Sequence, residues 1–439
     1  MSCINIGIGK ARINLQASSH DEVWRARGDE TRGHAICAGA TIADEAWHQI
    51  RLSAMFDCCK WDAQSQDRSV LANYPLFLGE GEWNAIARDA ESLSAEVLAA
   101  EREIFLRSEL HSRLGLPARI VRAIRDCGEA DIPKSVARVM RFDFHLTGDG
   151  WPISEVNCDV PGGFVEASGF TKLVAEYFTG TRTCGDPTGE YARALARAAD
   201  GGTLALVHAT WHSDDRQVME YLSRRLRELG SSCALVGPEE IAWIRGEAKF
   251  RRDSAARSDL TVARFFPAEW LPGAGKRKIW EPWFRGSRSA LSNPGTALLV
   301  QSKRFPLVWR ALRTPTKNWR RLLPETRSVT DVDGPLSGWV FKPTLGRVGE
   351  NIAIEGVTQP AIFQKIVREA RRNEQEWVAQ RRFAPISIDT PDGARFPCIG
   401  VFTLEGRTIG AYGRVAARQI VDQDAQDVAV LMRSGMENR

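Results

Sequence analysis

The stretch RVMRFDFHLTGDGWPISEVNCDVPGG, residues 138–163, decides how the chain is read. Two alternating apolar and polar runs flank Gly148-Asp149-Gly150, the composition of a tight β-hairpin. A three-residue closure sets Asp143 opposite Glu155 and Arg141 opposite Asn157, and puts Phe142, Phe144, Leu146 and Val156 on the other face. Two carboxylates paired across strands repel, so a cation is expected between them. Mg²⁺ suits that position, because it takes oxygen ligands and is completed by water and phosphate. Arg141 would then face a phosphate. The alternative is that Arg141 itself pairs with Asp143 and Glu155 on a wet sheet surface. The run Asn157-Cys158-Asp159-Val160-Pro161-Gly162-Gly163 adds oxygen ligands and permissive glycines where the strand ends, as binding sites often do.

On the C-terminal side, Trp339-Val340-Phe341-Lys342-Pro343 reads as a buried strand, and the loop after it contains Gly346, Arg347, Gly349, Glu350 and Asn351. A strand lysine beside exposed backbone N–H groups is a way to hold polyphosphate, although G-x-x-x-x-G-K is absent. Residues 376–380, from Glu376 through Val378 to Gln380, form a short strand whose backbone could read an adenine edge. Residues 397–414 read as a hairpin around Glu405-Gly406.

Around these motifs the chain divides into three expected parts. Residues 44–53 and 91–106 carry helical apolar spacing, so residues 1–130 are expected to form a mainly helical lobe. Residues 131–295 read as an α/β lobe with a strand at 203–211, a helix over 214–229 stopped by Gly230, and a strand at 233–236. Residues 296–439 make a C-terminal lobe.

The whole chain has 439 residues, 43% hydrophobic and 26% charged, which excludes general disorder. No run approaches about 18 consecutive apolar residues, and MSCINIGIGKARINLQ lacks a secretory core, so a cytoplasmic protein without a membrane partner is expected. The 59 basic against 55 acidic residues give +4, which offers no electrostatic case for nucleic acid. Nine cysteines without a C-x-x-C pair argue against zinc and disulfides.

The set Arg141-Phe142-Asp143-Phe144, the run from Glu155 to Pro161, Ser302-Lys303, Phe341-Lys342-Pro343 with residues 346–351, Gln380, and Gly410 to Arg414 resembles the glutathionylspermidine synthase family. That resemblance implies an α+β or α/β ATP-grasp-like ligase, with mixed sheets forming a nucleotide cleft behind the helical N-terminal lobe. It implies activation of a carboxylate by ATP as an acyl phosphate, then attack by an amine. By position, Asp143, Glu155 and Asn157 would hold Mg²⁺, Arg141 and Arg414 would stabilise the reacting groups, and Lys303, Lys342 and residues 346–351 would bind nucleotide phosphates. The 376–380 strand would line the adenine, and Asp159, Gly162, Asp214 and Asp215 would face the carboxylate and amine substrates. Glycines 162 and 163 stand where the polyamine enzymes carry a Thr-Pro-Thr-Ser type continuation. No amidase activity is expected, because residues 1–130 offer no Cys and His arrangement for it. A silent nucleotide-binding regulator on the same scaffold is the competing expectation, and the oligomeric state stays open.

Overall fold

The computed structural model describes residues 36–62, 64–65, 68–253, 260–332, 334–346 and 349–433. At its centre, Val139–His145 pairs antiparallel with Ile153–Asn157, in the expected register at the polar positions: Arg141 faces Asn157 and Asp143 faces Glu155. The closure differs from expectation. Thr147 N donates to Gly150 O at 2.9 Å and His145 N to Pro152 O at 2.9 Å, so the turn has two central residues, Gly148 and Asp149. The register then shifts between Asp143 and Phe144, with Ser154 as the extra residue. A bulge of this kind adds one residue to one strand, which offsets the shorter turn.

This hairpin is one edge of a six-stranded sheet that continues through Gly393–Leu404, Arg407–Ala416 and Gln426–Val428, with Ile388–Thr390 also paired to the long strand. Phe142, Phe144, Ile153, Ile399, Val401 and Val415 are buried on its apolar face. The helix Glu80–Phe105 packs there, because Ile86, Ala90, Leu93, Val97, Ala100 and Ile104 recur every three or four residues and are at most 1% exposed. Each large side chain withdrawn from water in this way contributes roughly 1.5–3 kcal/mol.

A parallel sheet, in the order Leu291–Ser292, Thr261–Arg264, Leu204–Val207, Cys233–Val236, lies beyond. The crossover helix Ser213–Glu228 matches the expected one, and Gly230 stops it with φ +74°. A third, antiparallel sheet joins Thr326–Arg327, Trp377–Arg381, Trp339–Pro343 and Ala353–Ile354. Helix Pro360–Arg372 covers it through Phe363, Ile366, Val367 and Ala370.

The sheets cross the expected lobe boundaries. Ile36–Ala38 and Leu76–Gly79 from the first part share a sheet with Thr181–Thr183 and with Val430–Arg433 from the last. Likewise, the acidic hairpin belongs to a sheet completed by residues 393–428. Helical periodicity over 44–53 and 91–106 identified those helices, but short strands between them carry no signal of their distant partners. No helix among the described residues is long and apolar enough to cross a membrane.

Candidate active site

Alternation along Val139–His145 places Arg141, Asp143 and His145 on one face, and Glu155 and Asn157 join them from the neighbouring strand. These side chains line a cavity of about 630 Å³ that also receives Lys342, Gln380, Tyr412, Arg414, Asp214 and Asp215. That volume lies in the range of small-molecule sites.

The repulsion between the paired acids is offset by the chain's own cations. Arg141 grips Asp143 with both ends of its fork, Nε to Oδ1 at 2.7 Å and Nη2 to Oδ2 at 2.9 Å. Lys303 Nζ lies 3.1 Å from Glu155 Oε2 and also donates to Gly346 O at 2.8 Å. Burial pushes the Glu155 carboxyl up, but Lys303, Lys342 and Arg141 outweigh it and hold the group at about 2. An inorganic cation is therefore not required to explain the cross-strand acids, contrary to the argument from repulsion alone. The wet-surface alternative is also only half right: Arg141 does pair with Asp143, but both are largely buried and Glu155 is held by a lysine.

The donor set still fits a hard divalent ion. Two carboxylates converge across the strands, and Asn157 turns its Nδ2 onto Asp143 Oδ2 at 3.1 Å, which leaves the amide oxygen as an acceptor. Lys342 approaches the same acids, donating to Gln380 Oε1 at 2.7 Å and to Ser154 O, the carbonyl of the bulge residue, at 3.1 Å. Burial lowers its pKa to about 8, with Lys303 adding to the effect and Glu155 and Asp143 opposing it. Burial lowers the His145 pKa to about 4 against the pull of Asp143. Its Nε2 lies 2.9 Å from Ser154 Oγ.

Arg141 is fixed from three further sides. Its Nη1 donates to Gly162 O at 2.6 Å, its guanidinium lies 5.0 Å from the Tyr412 ring centroid, and Gly400 leaves it room, since a Cβ there would meet Arg141 Cδ at 2.7 Å. Gly163, at φ +91°, lies against the Tyr412 ring. The two glycines after Pro161 thus seat the arginine and the tyrosine. Arg414, one of the expected catalytic residues, lines the cavity and donates to Asp422 O at 2.5 Å.

Several expected site residues do other things. Asp159 is 2% exposed and holds the wall together, taking Arg264 Nη2 at 2.5 Å and Ala268 N at 3.0 Å. Glu376 is exposed outside the cavity, and its carbonyl accepts Thr344 N at 2.7 Å. Val378 is buried in Trp377–Arg381, a central strand paired on both sides, so its backbone has no free edge for a base. The segment just beyond supplies the cavity wall instead, through Arg382, Phe383 and Pro385. Gly349 and Glu350 line the cavity, Asn351 takes φ +56°, and a Cβ on Gly349 would meet Val421 O at 2.7 Å. Arg347 lies outside the described residues. Asp214 and Asp215 sit in the first turn of their helix and line the cavity, with Asp215 3.3 Å from His212 Nδ1.

Sequence reasoning passed over His145, Lys60, Glu166 and the 382–385 segment, and gave Tyr412, inside the motif of residues 410–414, no role of its own. His145 was within reach, standing two residues from Asp143 on the same strand face. Lys60 and Glu166 meet across more than a hundred residues of sequence, and neither stands in a motif.

Among solved structures, a protein from Methylobacillus flagellatus KT provisionally designated a gamma-glutamylcysteine synthetase is similar at 11% identity and a TM-score of 0.39, over 74% of this chain and 83% of that one. No curated protein matches the chain. The family model described as glutathionylspermidine synthase preATP-grasp matches residues 46–433. That match takes in every strand around the cavity, and the chain belongs to the glutathionylspermidine synthase preATP-grasp family.

Proposed function

We propose that this ligase-family chain joins a carboxylate to an amine at the expense of ATP, forming ADP through an acyl phosphate, with Mg²⁺ as the metal cofactor and the cytoplasm as its compartment. The observation that carries the reading is the meeting of Glu155, Asp143 and Lys342 in one cavity, with Lys303 paired to Glu155 behind them. Such an array of fixed charges suits phosphoryl transfer, where positioning and electrostatics supply the catalysis. The eight described cysteines are all unpaired, in keeping with a reducing compartment.

Asp143, Glu155 and Asn157 would hold the Mg²⁺, which when bound neutralises charge on the phosphate oxygens. Lys342 and Lys303 bind nucleotide phosphates, the latter exchanging Glu155 for phosphate. The loop residues Gly346, Gly349, Glu350 and Asn351 cover them, and Gln380 orients Lys342. The base lies against Phe383 and Pro385. Arg141, held by Asp143 and Tyr412, faces the acyl phosphate, and Arg414, from the same sheet, lines the pocket to meet negative charge on the reacting carbonyl. Asp214 and Asp215 attract the cationic amine.

A screen of ADP release over pooled carboxylates and amines, with mass spectrometry of the product, tests this. The reading requires ADP formation that depends on both partners and a product heavier by their condensation. ATP hydrolysis without an amide, or no turnover with any pair, refutes it.

A further inference from the structure

Deeper in the cavity wall lies a second charge cluster that the roles above leave unassigned. Lys60 is buried, with its ammonium 2.5 Å from Glu166 Oε1, 3.0 Å from Asp62 Oδ1 and 3.2 Å from Asp427 Oδ2. Asp427 Oδ1 accepts the Tyr412 hydroxyl at 2.5 Å and stands 4.0 Å from Arg414 Nε. Lys60 and Arg414 thus face three carboxylates, and negative charge is left over for an incoming cation.

Local backbone features build this contact. Cys59 takes φ +60°, turning the chain so that Lys60 points at Glu166. Gly169 lets the turn come close, since a Cβ there would meet Cys58 Sγ at 2.6 Å. Glu166 itself opens the π-helical turn Glu166–Phe170. Such turns are rare and are found frequently at functional positions.

Glu166 lines the cavity and is 7% exposed. Its Oε1 holds Lys60, while Oε2 is buried without a hydrogen-bond partner. A desolvated carboxylate oxygen lacking a donor is destabilising in itself, so its retention calls for an explanation. Burial raises the Glu166 pKa, Lys60 opposes this, and Asp427 and Asp62 reinforce it, giving a stronger base than a surface carboxylate. The cluster also runs without a break to the expected acyl site: Tyr412 binds Asp427 through its hydroxyl and carries the Arg141 guanidinium on its ring.

We propose that Glu166 is the base that accepts a proton from the amine substrate and that Lys60 is the positioning residue that holds it; the inference rests on the ligase reading above. The amine arrives as an ammonium and must lose one proton before its lone pair can attack. Glu166 takes that proton. The N–C bond then forms as the C–O bond to phosphate breaks, and phosphate departs with the electron pair. The second nitrogen proton leaves with it as hydrogen phosphate, and the proton on Glu166 returns to solvent through the cavity.

The test compares two acyl acceptors in wild type and Glu166→Gln, which keeps an oxygen for Lys60. Pooled amino acids, dipeptides and tripeptides serve as carboxylates, with either pooled primary amines or hydroxylamine, which is unprotonated at neutral pH and needs no base. Amide formation is expected to fall by roughly 10²–10⁴-fold, the usual contribution of a positioned base, while hydroxamate formation stays near wild type. An equal fall in both arms, or in neither, overturns the assignment to Glu166. Wild type forming no product in either arm instead overturns the ligase reading. An independent check needs no variant: once rates are expressed per unprotonated hydroxylamine, the acid limb of the wild-type pH–rate profile should appear for amines and be absent for hydroxylamine. The same limb with both acceptors would trace it to other groups, such as Asp62, Asp427, Tyr412 or Lys60, and refute the proposal.

Discussion

Lys303 Nζ stands 3.1 Å from Glu155 Oε2 and bonds the carbonyl of Gly346 with the same ammonium. The acid proposed to bind metal is therefore held by the lysine proposed to bind phosphate. If Glu155 serves to hold Mg²⁺ when nucleotide binds, Lys303 would be released from it and free to turn to a phosphate.

Glu155→Gln should abolish Mg-ATP turnover in a chain that still folds, because the side chain lies at the cavity and not in the apolar core, although the lost pair with Lys303 lowers its stability. Even outer-shell changes at metal sites lower affinity or activity about 10–100-fold, so a ligand change should lose at least that much. Full amide-forming activity in the variant would refute the metal role. Circular dichroism checks the fold.

Lys342, lowered to about 8, predicts how nucleotide binding depends on pH. A bound polyphosphate favours the ammonium and raises the folded pKa, so near pH 8 binding should take up a fraction of a proton. Above that value affinity should fall by up to about tenfold per pH unit. Calorimetry in buffers of different ionisation enthalpy measures the uptake. Lys342→Ala should raise the dissociation constant and remove the proton uptake; unchanged binding would count against the phosphate role.

Acid should weaken the fold through Glu155. Its folded pKa of about 2 lies below the ordinary carboxylate value of 4.5, so the unfolded state binds more protons between the two. The stability this group contributes is complete above about pH 4.5 and is lost as pH falls toward 2, amounting to a few kcal/mol. In Lys303→Met much of that dependence should vanish, because the nearest cation is gone. Urea unfolding between pH 6 and 3 compares the two proteins, and identical slopes would rule out Lys303 as the main cause.

Gly400→Ala isolates the placement of Arg141 from its charge. The new Cβ would meet Arg141 Cδ at 2.7 Å, so the guanidinium must shift while remaining in the cavity. A displacement near 1 Å at a reacting group can lower the rate about 10²-fold, and that is the expected fall in kcat. Wild-type kcat in Gly400→Ala would show that Arg141 does not need this seat.

The acidic hairpin was legible because strand alternation is a local rule: one turn fixes which of residues 138–163 face together. Even there the turn was read one residue too long, and the bulge at Ser154 restored the register at Asp143 and Glu155. The 376–380 strand was read correctly as a strand, but the sequence does not announce its central place in the sheet, and with both edges paired it cannot read a base. Asp159 stands in its motif as a ligand candidate and does line the cavity, but the sequence does not announce its tie to Arg264, 105 residues away. The Lys60 and Glu166 pair was illegible for the same reason, since its two halves stand 106 residues apart and meet where Gly169 packs on Cys58.

The most direct measurement is a crystal structure with Mg²⁺ and a non-hydrolysable ATP analogue. The account predicts an ion on the oxygens of Asp143 and Glu155, Lys342 on a phosphate, and Lys303 drawn from Glu155 to phosphate. Nucleotide bound elsewhere, with the Lys303–Glu155 pair still closed and no ion on either carboxylate, would contradict it.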